Sequence, residues 1–258
     1  MGLDKADPPG HLTHVATRPI IVAWIVQSLL ATGRQGRCVK ENGVFAPDWI
    51  AMIAGMTVAD LVRPSEKGLA HLYDAGVVIG GSIVIALCAQ IAIGGPVPIT
   101  GQTFAVLIVA ALLGSRRAVL CVLTYLAQGL LGLPVFAQGG AGLGVFLGPR
   151  GGYLVGFLVV AYIVGSLAER GWDRRPATTV LAMVLGNVGL YVCGLTWLFC
   201  LVHIFAQPLG SHGVLAIGLY PFLAGDAVKI ALAAFLLPAG WKMIRYFGLD
   251  KIRPRAVE

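Results

Sequence analysis

The sequence is poor in charge. Of its 258 residues only 12% are Asp, Glu, Lys or Arg, while 57% are hydrophobic, and the mean hydropathy is +0.84. A soluble globular domain carries about a quarter of its residues as charges, so this composition indicates an integral membrane protein. Nucleotide-binding motifs are missing too: neither G-x-G-x-x-G nor G-x-x-x-x-G-K-[ST] occurs, and no Gly-Lys dipeptide is present. Basic residues interleaved with aromatics are also lacking, so the net charge of +7 does not indicate nucleic acid. Cysteine is scarce and unpatterned. Cys88, Cys121, Cys193 and Cys200 lie in apolar runs and Cys38 in a polar stretch, which excludes a disulfide framework and a cysteine metal site. His11 and His14 form an isolated H-x-x-H pair and His203 and His212 flank a helix end, so no metal site is expected.

What is abundant is apolar sequence in segments. Residues 1–70 form an N-terminal extension: 19–32 is apolar but short of the roughly 20 residues a spanning helix needs, and 49–62 has the spacing of an interfacial amphipathic helix ending before Pro64. Met52 and Met56 are alternative starts, which would leave the preceding residues outside the mature protein. From residue 71 to 245 the pattern predicts an all-α membrane domain of six transmembrane helices, at 76–93, 102–113, 118–133, 153–167, 178–202 and a last stretch ending at 237. A basic tail follows at 246–258.

The loops alternate in charge. Arg116 and Arg117, then Arg170, Arg174 and Arg175, then Lys242, Arg245, Lys251, Arg253 and Arg255 fall on one side, whereas the other loops carry Arg150 alone. The positive-inside rule makes the basic side cytoplasmic, with both ends of the domain inside. GGPVPITG, the turn at 207–213 and the glycine-rich loop between the third and fourth helices then face outward. That loop, within 134–157, holds Gly139, Gly140, Gly142, Gly144, Gly148, Gly151 and Gly152. Glycine at this density suits a backbone that turns sharply or approaches something closely, and its position outside makes it a lid.

Polar groups inside apolar segments mark where chemistry can occur. Asp226 and Lys229 share a face of the last helix at i and i+3. A charge at the centre of a membrane helix costs about 2.5–3.5 kcal/mol on insertion scales, so the pair is either an ion pair that locks packing or a ligand site. Gln102 opens the second helix, and its amide both donates and accepts. Tyr153 opens the fourth, offering a ring or a hydroxyl. Asn187 and Tyr191, one turn apart on the fifth, suit interhelical hydrogen bonding as well as ligand contact. Ser82 and Ala86 give the first helix a small-residue face for packing against a partner's membrane helix.

The segments AQIAI at 89–93, GPVPITGQTFAVL at 95–107, GLPVFAQGGAGLGVFLGPRGGYLVGF at 132–157, ERGWDRR at 169–175 and PFLAGDAVK at 221–229 resemble the BioY family. Its members are the biotin-specific substrate-binding S components of energy-coupling factor (ECF) transporters. The resemblance covers roughly residues 56–245. It implies a prokaryotic cell-membrane protein that is not an enzyme, has no cofactor, binds biotin from outside, and works with a transmembrane coupling protein and ATPase subunits. The pocket it implies is lined by Gln102, Gly151, Gly152, Tyr153, Asp226 and Lys229. Arg150 departs from the Thr often found before the glycine pair, and is open to two readings, a carboxylate clamp or a solvent-facing side chain. Biotin's ureido ring, thioether ring and carboxylate suit such a set: an acceptor in Asp226, an amide in Gln102, and a cation in Lys229 or Arg150. The residues leave three alternatives: an S component for another vitamin, an intramembrane enzyme using Asp226 and Lys229 as acid and base, or a structural subunit.

Overall fold

The computed structural model describes residues 55–94, 97–204 and 213–247, all within one compact unit. The apolar stretch 19–32, residues 49–54 of the 49–62 segment, nearly all of the 207–213 turn and the tail beyond 247 lie outside the described residues. The described elements, in order, are α1 (Val58–Val62), α2 (Lys67–Gln90), β1 (Ala92–Ile93), β2 (Ile99–Thr100), α3 (Gln102–Leu113), α4 (Ser115–Leu130), α5 (Leu143–Leu147), α6 (Gly151–Glu169), α7 (Pro176–His203), α8 (Val214–Gly218) and α9 (Tyr220–Tyr246). Short 3-10 turns at Ala137–Gly139 and Trp172–Arg174 join them. The structure is mostly helical, as a bilayer demands: in hydrocarbon every backbone group must find its partner within the protein.

Among the described residues four stretches are long and apolar enough to cross a membrane: α2, α6, α7, and α8 with α9. The second and third segments of the sequence reading fall short by length. α3 has 12 residues, a rise of about 18 Å against the roughly 30 Å of a bilayer core, and α4 has 16.

α6 occupies the centre, with 67% of its apolar window buried against 22% for α2. Small residues let its neighbours close on it. A Cβ on Gly156 would stand 2.9 Å from Leu190, one on Gly165 would stand 2.5 Å from the Ser115 backbone, and one on Gly194 of α7 would meet the Tyr153 ring at 2.3 Å. Membrane helices gain attraction from such backbone proximity, because lipid offers no hydrophobic drive between them.

Several boundaries differ from the sequence reading. The first long helix runs 67–90 rather than 76–93. Its early polar turns are stabilised by neutralisation, since Asp74 of α2 pairs with Arg63 at 2.7 Å and Arg117 at 2.8 Å. It ends early because Ala92 and Ile93 pair antiparallel with Thr100 and Ile99, and the Gly101 N–H donates to the Ile91 carbonyl. The last helix does not stop at 237. It continues through Pro238 to Tyr246, where the buried Trp241 donates to Asp173 and stacks under the Arg174 guanidinium at 4.5 Å.

Of the interfacial helix expected at 49–62, the described part is α1, five residues long. It is clamped to the bundle through Asp60 and Arg117 at 2.7 Å, and Arg174 donates to the Met56 carbonyl at 3.1 Å. The basic residues Arg117 and Arg174 thus meet at the α1 end of the unit, with Glu169 accepting from Ser115 there. Burial alone would raise the Asp60 pKa. The Thr57 amide and Arg117 outweigh burial and hold it below the usual carboxylate value. Asp173 goes the other way: burial raises it, and the Trp241 bond and Arg174 offset that only in part.

Candidate functional site

A cleft of about 560 Å³, its mouth included, opens where the hairpin β1–β2, the glycine-rich loop and the ends of α6, α7 and α9 converge. Its walls are largely apolar, with Phe136, Phe157, Leu190 and Phe222 among them, and its polar lining includes Gln102, Arg150, Tyr191 and Asp226.

The sixth segment of the sequence supplies the charge. Pro221 sits in the first turn of α9, where its missing N–H costs nothing, and this sets Asp226 and Lys229 one to two turns into the helix. The Asp226 side chain is 7% exposed and that of Lys229 14%. The Lys229 ammonium donates to Asp226 Oδ1 at 3.2 Å, and the Tyr191 hydroxyl donates to Oδ2 through a short bond. The carboxylate is therefore held from two helices and still borders the cleft.

Gln102 is buried at the start of α3 and lines the cleft, with one N–H given to the Tyr125 hydroxyl at 2.9 Å. Tyr125, fully buried on α4, is a residue the sequence reading missed. Its signal is that it is the one aromatic residue of α4. Tyr153 also lines the cleft, but its hydroxyl is spent on the Gly218 carbonyl at 2.6 Å, so its ring is what the cleft meets, 6.2 Å from that of Phe222.

The glycine-rich loop covers one side. Phe136 is its anchor, 1% exposed, with its ring over Gly129 and edge-to-face with Tyr125 and Phe146 at centroid distances of 5.5 and 6.0 Å. Arg150 lines the cleft and is tied into the loop. Its Nη1 donates to the Ala137 carbonyl at 2.8 Å and its Nη2 to Gln138 Oε1 at 2.6 Å. Partial burial lowers its pKa.

Other expected residues stand apart from the cleft. Gly151 and Gly152 are not among the residues that line it. A Cβ on Gly151 would stand 1.8 Å from the Phe146 carbonyl oxygen, and one on Gly152 would stand 2.3 Å from Trp197, so these glycines let the loop and α7 close on α6. Asn187 is buried with its Oδ1 lacking a hydrogen-bond partner, and it too is absent from the lining. Ser82 is fully buried within the chain, donating to Ile79 and accepting from Gln128 at 3.2 Å. Its small face serves α4 and is not left open for a partner, while Ala86 is half-buried. The glycines that α2 leaves uncovered are Gly68, Gly76 and Gly80, each with nothing within 4 Å of an added Cβ among the described residues. Among the described residues no group of His, Cys, Asp and Glu could hold a metal.

The BioY family model matches residues 56–246. The biotin transporter BioY of Thermotoga maritima is 35% identical over 168 residues, covering 65% of this chain and 90% of that protein. The biotin transporter BioY2 of Lactococcus lactis subsp. cremoris is 35% identical over 186 residues, covering 70% and 91%. A crystal structure of the S-component for biotin from an ECF-type ABC transporter shares this fold, with a TM-score of 0.55 at 24% identity, over 69% of this chain and 95% of that one. The chain belongs to the BioY family.

Proposed function

We propose that this chain is a biotin-binding S component: it captures biotin at the outer face of a prokaryotic cell membrane and delivers it inward with an ATP-driven ECF module. The observation that carries this reading is the buried Asp226 carboxylate, ordered by Tyr191 and Lys229 on the wall of a largely apolar cleft. Ureido N–H groups need such an acceptor, and a thioether ring needs apolar walls. In the proposed pose Asp226 accepts from the ureido, the free N–H of Gln102 serves its carbonyl, and the rings of Tyr153 and Phe222 flank the bicycle, while Lys229, which is not among the lining residues, holds the Asp226 carboxylate in place.

The topology proposed with it has six membrane-crossing helices, α2, α3, α4, α6, α7 and α9. Residues 71–245 form the domain, 1–70 an extension and 246–258 a basic tail, with both ends inside. α3 and α4 span with the help of their flanking loops, and the Arg116 and Arg117 end lies inside. Chemical energy enters through partner ATPase subunits and a coupling protein, which makes the chain a transport subunit rather than an enzyme.

Mass spectrometry of whatever copurifies with the protein, followed by biotin titration in detergent, tests the reading. Asp226→Asn and Lys229→Met should each weaken retention by more than about tenfold, equivalent to about 1.4 kcal/mol. Wild-type affinity in both would overturn the proposed pose. Tighter retention of riboflavin or thiamine than of biotin would reassign the ligand.

A further inference from the structure

We infer that Gln90 and Arg150 form a two-sided latch on the turn at 134–140, and that this latch sets how fast ligand exchanges rather than how tightly it is held. The inference rests on reading the cleft as a biotin site.

The turn is gripped from two elements that flank it. On one side Gln90, the last residue of α2, brings its Nε2 within 3.3 Å of the carbonyls of Pro134, Val135 and Phe136, and its Oε1 accepts from the Gly139 amide at 3.1 Å. On the other, Arg150 at the entry to α6 holds the Ala137 carbonyl and the Gln138 side chain. Gln138 completes the tie by donating to the Gly94 carbonyl of the hairpin loop at 3.2 Å. It does so from a left-handed backbone conformation, φ 60°, that is uncommon outside glycine. One turn is thus bonded to the ends of α2 and α6 and to the hairpin, the structures that border the cleft mouth.

These bonds end on the loop, and neither Gln90 nor Gln138 is among the residues that line the cleft, although Arg150 is. A bond that holds the loop shut whether or not ligand is beneath it lowers the open population of free and loaded protein by one factor. Entry and exit both pass through the open form, so both rates scale with that population while their ratio does not. A residue that reads the ligand does the opposite, changing affinity chiefly through dissociation.

Biotin association and dissociation rates measured on purified protein in detergent test this directly. Gln90→Ala should raise both rates about tenfold, the net worth of one to two hydrogen bonds, and leave Kd within about twofold. Gln138→Ala removes the acceptor that Arg150 Nη2 holds and the tie to the Gly94 carbonyl without changing a residue that lines the cleft, so it should accelerate exchange in the same way. Weaker affinity with an unchanged association rate in Gln90→Ala would overturn the latch, and so would unchanged rates.

A ligand-free readout separates this from the functional reading. Hydrogen exchange of the Gly139 amide should quicken about tenfold in Gln90→Ala, and unchanged exchange refutes the latch whatever ligand binds. If wild-type protein fails to bind biotin while Gly139 exchange responds, the ligand assignment fails and the latch stands.

Discussion

Removing Lys229 strands the Asp226 carboxylate. Lys229→Met leaves a side chain that is 7% exposed in the native structure with Tyr191 as its remaining hydrogen-bond donor among the described contacts. Breaking one side of a buried ion pair costs about 3–5 kcal/mol. At roughly 2–4 °C per kcal/mol for a chain of this size, the apparent Tm of ligand-free protein should fall by roughly 6–20 °C. Asp226→Asn strands the ammonium instead, but Lys229 keeps 14% exposure and the amide oxygen still accepts from Tyr191, so its loss should lie at the lower end. The double variant Asp226→Asn/Lys229→Met removes both charges and should recover to within about 1–2 kcal/mol of wild type, since neutral replacements of buried pairs are often tolerated. Biotin retention should stay lost in all three. The assay is a thermal melt followed by tryptophan fluorescence in detergent, with biotin titrated on the same samples. A double variant no more stable than the worse single would refute the coupling argument. A double variant that regains both stability and binding would show that the pair only locks packing.

Gly152→Ala places a methyl group 2.3 Å from Trp197 and 2.7 Å from the Cys193 carbonyl, so overpacking of about 1–3 kcal/mol should lower the melting temperature. Gly144→Ala, in open space on α5, should be neutral in the same melts, and equal behaviour of the two would contradict the packing role of the glycine pair. For pH, Asp60 has a folded-state pKa below its usual 3.8. Its contribution is therefore complete above the unfolded value and lost as pH falls through the folded one. Acid melts down to about pH 3 should show wild type losing stability more steeply than Asp60→Asn, and parallel slopes would exclude the Arg117 and Thr57 bonds as the cause.

Much of the helical layout is legible because apolar runs bounded by Gly, Pro and Arg leave the chain few options. α3 falls on 102–113 as the spacing predicts. The start of α2 is not legible locally: KGLAHLYDA reads as polar, and the groups that neutralise its Asp74 sit at Arg63 and Arg117, 11 and 43 residues away. Nor is the passage of α9 through Pro238, because the anchor that holds Trp241 comes from Asp173 and Arg174 on another loop.

At the site, ionisable and amide groups inside apolar segments point to Asp226 and Gln102, which line the cleft, and to Lys229, which bonds to Asp226 from beside it. Gly151 and Gly152 show the limit of that approach, because glycine signals that backbone comes close to something without saying what. Here it is Phe146 and Trp197. Gln90 and Tyr125 escape because their roles depend on partners more than twenty residues distant: Gln90 meets the loop carbonyls 44–46 positions on, and Tyr125 meets Gln102 across 23.

The glycine-rich stretch therefore divides by function along its length. Its C-terminal pair leaves no room for a side chain and fixes where α6 begins, whereas Gly139 and Gly142 have open space around them and positive φ, at 68° and 80°. Any opening of the cleft must come from the segment that carries those two, between Gly132 and Gly148. That segment is not loose, because Phe136 is sunk among Tyr125, Phe146 and the bare face of Gly129. Exposing a buried Phe costs about 1.5–3 kcal/mol, more than the roughly 1 kcal/mol net of a typical hydrogen bond. The ring and the several bonds made by Gln90, Arg150 and Gln138 are then comparable parts of the barrier to opening, and the latch bonds are the part that side-chain substitution can remove without emptying the core. Glycine in this loop permits the closed shape, and the aromatic anchor and the latch bonds make that shape the resting one.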